Sequence, residues 1–398
     1  MYLSEEVTIM YENGKKVIYV GIDVHDETFT CCFYDPDDKQ AKKGLRTVKI
    51  FSSAAQVRRC LANFCKDNPF NISEFTFRCA YEACGYGYEL ARSLHSSGID
   101  CVLLAPSTIN EYHNNQRIKT DKRDAFTIAK SYANGEASPV HIPDKHDEEV
   151  DNLIRVRDMY KDTAKRYKQQ IIAFVKRLGY KYEEHGHYWT QKYMKWLANL
   201  PLSTVNRYVL DNLLNSLAQA SDSLAELNGQ IASIAENDKR YAERVRRLRG
   251  LFGIDTYTAM AIVVKSGDFK RFAKAKSYMA YLGLIPGEAS SGVTVHKKSL
   301  TKTGNPRLRK LLTESAQCYL RKPNLLKSKA FKKRQEGLPE EFITYADRGL
   351  MYMIRKGKKM LYNKKNWNVI VSALARTLAG FIWGAMTTHL DRNPKAAA

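Results

Sequence analysis

Polarity along residues 16–134 switches repeatedly between strand spacing and helix spacing. Val17-Ile18-Tyr19-Val20-Gly21-Ile22-Asp23 is an apolar run that ends on an acid. Residues 28–34 are rich in β-formers and follow a short polar turn, which predicts a hairpin; residues 45–51 supply a third strand. Residues 54–67 place Ala55, Val57, Leu61, Phe64 and Cys65 at helical spacing. A strand over 75–81, a helix over 87–97 and a strand over 101–105 follow. Pro106 closes that strand, and Ser107 is placed to cap a short helix. Another helix spans 121–133 and ends at Asn134-Gly135. Three strands followed by alternating helices and strands predict a mixed sheet with helices on its faces.

Residues 147–249 change period. Val150, Leu153, Tyr160, Ala164, Tyr167, Ile171, Phe174 and Leu178 recur by threes and fours, with Arg157 breaking the stripe and Gly179 ending it. A second stripe runs Leu210, Leu213, Leu217, Ala220, Leu224, Leu227, Ile231 and Ile234, and its spacing extends to Tyr241, Val245 and Leu248. This predicts an antiparallel helical hairpin or coiled coil, and such a seam closes either within one chain or between two. A basic aromatic stretch with Trp189, Tyr193 and Trp196 lies between the stripes. The arm is a spacer, a dimerisation element or a nucleic-acid clamp.

Residues 250–334 read as a further compact unit. Gly250 and Gly253 precede an apolar helix at 259–264, a turn that either presents backbone N–H groups to a phosphate or simply packs. Residues 367–386 read as a core helix, and 393–398 as a disordered tail. The fold class is therefore α/β followed by all-α, in three parts: 1–145, 146–248 and 249–398.

Composition adds a partner class. The chain has 398 residues, with 64 Lys+Arg against 42 Asp+Glu and a net charge of +22. That field attracts polyanions, nucleic acid first among them. No run is expected to be long and apolar enough to span a bilayer, since 373–386 is short and holds Arg376. The N-terminus lacks the features of a signal peptide. The eight cysteines (Cys31, Cys32, Cys60, Cys65, Cys79, Cys84, Cys101 and Cys318) show no zinc-ligand spacing and read as reduced core residues of a cytoplasmic protein.

Four acids carry the candidate chemistry. Asp23 ends one strand, and Glu82 follows another just before a glycine turn. An ionised carboxylate at the end of an apolar strand is costly without a partner. Asp121 and Asp124 are three apart on a helix and share a face, where like charges repel unless a cation lies between them. Mg²⁺, or Mn²⁺ in its place, takes such oxygen ligands. Two strand acids and a helix-borne pair form the ribonuclease-H-like arrangement for phosphodiester chemistry. Taken singly, Asp121 also suits an N-cap and Asp124 a solvated first turn.

A second cluster contains Gly283-Leu284-Ile285-Pro286, then Ser290-Ser291-Gly292, then Lys302-Thr303-Gly304-Asn305-Pro306-Arg307-Leu308-Arg309. Asn305 and Pro306 suit an N-cap and a first helical residue. Arg307 and Arg309 then fall where the helix dipole disfavours cations, a conflict that a bound phosphate would remove. Lys310, Arg321 and Lys322 extend the basic surface. Ser290-Ser291-Gly292 also suits a plain turn.

The chain resembles the transposases of the IS110 insertion-sequence group, including its IS1111 branch, over nearly its whole length. The resemblance is carried by Gly21-Ile22-Asp23-Val24-His25, Tyr81-Glu82-Ala83-Cys84-Gly85-Tyr86, Lys119-Thr120-Asp121-Lys122-Arg123-Asp124-Ala125 and the 283–305 motifs. It implies a RuvC-like N-terminal domain with an Asp-Glu-Asp-Asp site and a C-terminal domain with a nucleophilic serine. By position that serine is Ser290 or Ser291, with Ser291 favoured because it directly precedes Gly292. It also implies a composite active site, a structured guide RNA that selects donor and target DNA, and assembly into dimers or tetramers. The competing expectation is a RuvC-type nuclease that uses water as nucleophile. The segment 336–365 is longer than the resemblance leads one to expect.

Overall fold

In the computed structural model, residues 11–12, 15–38, 44–67, 75–109, 120–183, 187–291, 294–321 and 326–390 are described, without the side chains of 11–12 and 288–298. They divide into two units, 1–142 and 143–398.

The first unit is a mixed sheet. Its elements are β1 (Tyr11–Glu12), β2 (Lys15–Val24), β3 (Thr28–Tyr34), β4 (Arg46–Phe51), α1 (Ala54–Asp67), β5 (Phe75–Glu82), α2 (Glu89–His95), β6 (Asp100–Leu104), α3 (Asp121–Ala133) and β7 (Pro139–Val140). The strand order is β4-β3-β2-β5-β6-β7, with β1 paired to β2. β5 runs parallel to β2 and β6, and the other pairs are antiparallel. Ser107 does not cap a helix; it lies within a short 3₁₀ turn at Pro106–Thr108.

Side-chain alternation sorts the sheet into two faces. Val20, Ile22, Cys79 and Tyr81 join Val57, Phe64, Leu90 and Leu94 of α1 and α2 in one core. The other face takes α3, where Ala80 and Leu104 pack against Ile128. Gly21 fixes how closely α3 lies. A Cβ there would stand 2.0 Å from the Ala125 carbonyl oxygen and 2.5 Å from the Ala129 nitrogen. Six cysteines, Cys31, Cys32, Cys60, Cys65, Cys79 and Cys101, are buried in this unit.

The second unit begins with a helical arm. α4 (Lys145–Arg177) and α6 (Thr204–Asn237) are joined through α5 (Gln191–Ala198). The start of α4 meets the end of α6: His146 lies 2.8 Å from Asp238, and Arg157 donates to Asn228 at 2.9 Å. The seam therefore closes within this chain as an antiparallel hairpin. It does not continue to Leu248 as one helix, because Asp238 ends α6 and α7 (Ala242–Arg249) starts anew. Trp189, Tyr193 and Trp196 are largely consumed by packing. Tyr193 is buried and contacts Tyr182, Tyr188, Trp189 and Trp196.

The rest comprises α8 (Thr256–Ser266), α9 (Ala275–Tyr281), β8 (Pro286–Ser291), β9 (Thr294–Leu300), α10 (Pro306–Arg321), α11 (Lys329–Gln335), α12 (Glu340–Tyr362) and α13 (Trp367–Thr387). Residues 336–365 are mostly α12, whose Phe342, Tyr345, Leu350 and Met353 enter the same core as α13. With 21 residues and an 18-residue window of mean hydropathy 1.6, α13 is by length and composition enough to cross a membrane, contrary to the expectation from sequence. Its apolarity has a local cause: Ile370, Leu374, Leu378 and Ile382 form the centre of this core. The tail at 393–398 lies outside the described residues.

Gly21→Ala should destabilise the protein by about 1–3 kcal/mol, the usual cost of overpacking against backbone. Gly85→Ala, where no atom lies within 4 Å of the added Cβ, should change stability by less than about 0.5 kcal/mol. Urea denaturation of both variants measures the difference.

Candidate functional site

Register builds the acidic site. Ile22 of β2 pairs with Tyr81 of β5, so Asp23 and Glu82 each stand one residue further along adjacent parallel strands. Gly21 and Ala80 pair on the face that takes α3, and alternation returns Asp23 and Glu82 to that face. Asp121 is the first residue of α3, and Asp124 lies in the same turn. Thr120, not Asp121, is the N-cap: its side chain accepts from the Arg123 N–H. The contact at Gly21 holds α3 against β2 and brings its first turn to the strand ends.

Two side chains join these acids that the sequence reading left without a role. His25 Nε2 lies 3.2 Å from Asp23 Oδ2 and 3.9 Å from Asp121 Oδ1. Lys49 Nζ donates to Asp121 Oδ2 at 3.2 Å. The signal for His25 was the alternation through 21, 23 and 25. Lys49 had no local signal, since only the pairings Asp23 with Thr30 and Thr30 with Lys49 carry it across the sheet.

The electrostatics show crowding. Burial pushes the Asp23 carboxyl above its usual range; His25 opposes this, while the charges of Asp124 and Asp121 add to it. Asp121 is held low, chiefly by the hydrogen bond from Lys49. Ligand atoms of Asp23, His25 and Asp121 lie within 4.8 Å of one another. Two carboxylates and an imidazole at that separation fit a divalent cation, which would relieve the repulsion on Asp23. Glu82 is exposed at the end of β5, beside this group in register.

The second cluster is a hairpin followed by a helix start. Ser290 and Ser291 pair through their backbones with Val295 and Thr294, so both serines belong to the last residues of β8. Gly292 lies outside the described residues. Asn305 caps α10, accepting from the Arg307 and Leu308 N–H groups at 3.1 Å. The cation conflict at this helix start is met inside the protein. Arg307 is 2.9 Å from Asp158 of α4, and Arg309 donates to the Leu282 carbonyl at 2.9 Å. Burial lowers the pKa of Arg309. Lys302 and Arg321 are exposed, and Lys310 lies on α10 beside them in sequence. Lys322 lies outside the described residues. The N-terminus of α8 is likewise occupied, because Asp255 accepts from Thr258 N–H at 2.7 Å.

The shift on Asp23 has a consequence for stability. Its folded pKa is raised, so its contribution is fully present below the ordinary carboxylate value and is lost as pH rises through the raised one. At neutral pH the ionised Asp23 therefore opposes folding when no cation is bound. Asp23→Asn should raise the melting temperature in chelator at pH 7 and should abolish Mn²⁺ uptake in calorimetry. The stability gain should vanish at a pH below the carboxylate range.

Two family models match the stretches that contain these clusters. Residues 20–179 match the transposase model of the IS110 DEDD type. Residues 245–332 match the model described as the transposase IS116/IS110/IS902 family. The Sinorhizobium fredii protein y4qE, which carries a transposase name, is 32% identical over 310 residues, covering 78% of this chain and 75% of its own. The transposase for insertion sequence element IS1533 of Leptospira borgpetersenii is 29% identical over 360 residues, covering 88% of this chain and 99% of its own. The pilin gene-inverting protein of Moraxella bovis is 26% identical over 284 residues, covering 71% of this chain and 76% of its own. The chain belongs to the IS110/IS1111 family of transposases, enzymes that cleave and recombine DNA.

Proposed function

We propose that this transposase exchanges DNA strands through a composite chemistry, in which Asp23, Glu82, Asp121 and Asp124 hold a divalent cation and Ser291 attacks DNA. The observation that carries the proposal is the register of β2 and β5. It sets two acids at neighbouring strand ends on the face occupied by the acid-bearing turn of α3. When bound, Mg²⁺ or Mn²⁺ supplies Lewis-acid polarisation of the attacked phosphate and lowers the cost of a serine alkoxide. His25 orients Asp23 by hydrogen bonding.

Ser291 supplies the attacking oxygen, with Ser290 as the neighbouring candidate. As the oxygen bonds to phosphorus its hydroxyl proton passes to water, and a DNA oxygen departs with the electron pair of the broken ester bond and takes up a proton from water. Attack of a DNA hydroxyl on this serine–DNA phosphodiester breaks the serine–phosphorus bond, returns the serine hydroxyl and restores a DNA phosphodiester. Lys302, Lys310, Arg321 and Lys322 contact the DNA backbone, where cations neutralise phosphates without reading sequence. Arg307 and Arg309 hold the start of α10 against α4 and the end of α9, and reach phosphate only if those contacts open.

In this reading residues 1–145 hold the cation, 146–248 form the arm, and 249–398 carry the serine. The family resemblance supports two further elements. One is a structured guide RNA that selects donor and target DNA, and the other is assembly into dimers or tetramers. The net charge of +22 suits two polyanionic partners.

Strand-transfer assays with Ser291→Ala and Asp121→Ala test the composite site. Both variants should lose activity by at least about 10³-fold, the scale for removal of a nucleophile or its activating group. Denaturing gels should trap a covalent protein–DNA adduct in the wild type and none in Ser291→Ala. Full cleavage by Ser291→Ala, with Asp121→Ala inactive, would instead assign the reaction to water attack.

A further inference from the structure

The second unit contains a cavity of about 860 Å³, of which the proposed function uses only Lys302 at the rim. Its floor is one face of α13, where Ala373 and Gly380 recur at helical spacing, and Gly384 lets Tyr345 close one end. Phe381 and Trp383 border it from within the core, where both are buried. The Trp383 ring is fixed, since its N–H donates to the Phe272 carbonyl at 2.8 Å and it stacks on His389.

The charge around this floor has one sign. Lys274, Lys276 and Lys302 stand exposed at the mouth. Lys356 and Arg376 lie deeper, and Lys356 donates to Thr377 at 2.9 Å. No Asp or Glu occurs among the described residues that line the cavity. Burial and the charge of Arg376 lower the pKa of the Lys356 ammonium. Lys302 has φ +56°, a left-handed conformation that is strained for a residue with a side chain. Its N–H is tied to the Gly283 carbonyl at 3.3 Å.

An apolar floor beneath cations without a lining carboxylate fits a ligand with a flat apolar body and a phosphate. The volume lies within the range of small-ligand sites. The wall includes Pro286, Ser299 and Leu300, which form the base of the hairpin β8–β9.

We propose that this cavity takes one unstacked nucleotide of a DNA strand, with its base against the α13 floor and its phosphate at Lys274, Lys276 and Lys302. The chain's family acts on DNA, and the cavity shares its wall with the hairpin that carries Ser290 and Ser291. An apolar surface for the base beside a cationic rim for the backbone is the general chemistry of single-strand binding. The inference rests on the action of the family on DNA and does not require serine attack.

The test is photocrosslinking of the full chain to a single-stranded oligodeoxynucleotide carrying 4-thiothymidine, with adducts mapped by mass spectrometry. Adducts should fall in 299–302 or 367–387. Ala373→Phe fills the floor and leaves every cation in place; it should reduce these adducts about tenfold, the equivalent of one lost stacked base. Ser372→Trp serves the same purpose if Ala373→Phe melts early. Lys276→Gln with Lys302→Gln should weaken binding and flatten its salt dependence. Adducts confined to other segments, or undiminished in a folded cavity-filling variant, would overturn the inference. Stronger crosslinking at the same segments by the matching oligoribonucleotide would overturn the assignment to DNA. Crosslinking needs no strand cleavage, so Ser291→Ala should retain it even where the serine adduct is lost.

Discussion

The first unit depends on one close approach, the backbone of α3 against Gly21 of β2. Every other residue at position 21 would place a Cβ inside the Ala125 carbonyl. Because α3 can lie there, its first turn reaches the ends of β2 and β5, and Asp121 and Asp124 come to bear on Asp23. The sheet contributes the rest by alternation, since the face that bears Gly21 and Ala80 also bears Asp23 and Glu82 two residues on. Burial and like charge together keep Asp23 in an unfavourable state that a cation would relieve. Among the described residues, Lys49 bonds to Asp121, and His25 lies beside both Asp23 and Asp121.

A comparable logic joins the arm to the C-terminal helices of the second unit. Acids along α4 meet partners from later segments. Asp147 accepts from the Tyr241 hydroxyl at 2.5 Å, Asp151 pairs with Lys265, and Asp158 accepts from Tyr257 and pairs with Arg307. Arg157, which breaks the apolar stripe, lies 3.8 Å from the centre of the Tyr257 ring. The interruption in the heptad marks the place where the helix changes partners. Several charges that look available for nucleic acid in the sequence are therefore spent on this junction, Arg307 above all. The exposed lysines around the α13 cavity have no such assignment.

Much of the secondary structure was legible in the residues. The helix over Ala54–Asp67 and that over Asp121–Ala133 follow from periodicity and end signals, and both stand as expected. The two long helices of the arm follow from their stripes, but the extension to Leu248 did not hold, because Asp238 turns the chain although the apolar spacing continues. Tyr241, Val245 and Leu248 are buried all the same, in the C-terminal core. Periodicity reports burial, and it does not report whether the helix is continuous. The core helix expected over 367–386 stands as α13, and what failed was the expectation that no run is apolar and long enough to span a bilayer, because a helix at the centre of a core is apolar over most of its surface.

By itself the sequence determined the element types, the strongly positive field, the strand-end acids and the family, because these reside in local spacing and in short ordered motifs. Tertiary structure alone decided which groups meet. His25 and Lys49 enter the acidic site through strand pairing. Arg309 is turned to a carbonyl by the packing of α10 against the end of α9. The cavity on α13 exists because segments distant in sequence, among them 274–276, 284–286 and 299–302, meet around one face of that helix. Long-range register and close packing couple residues far apart in the chain, and no local window of sequence contains them.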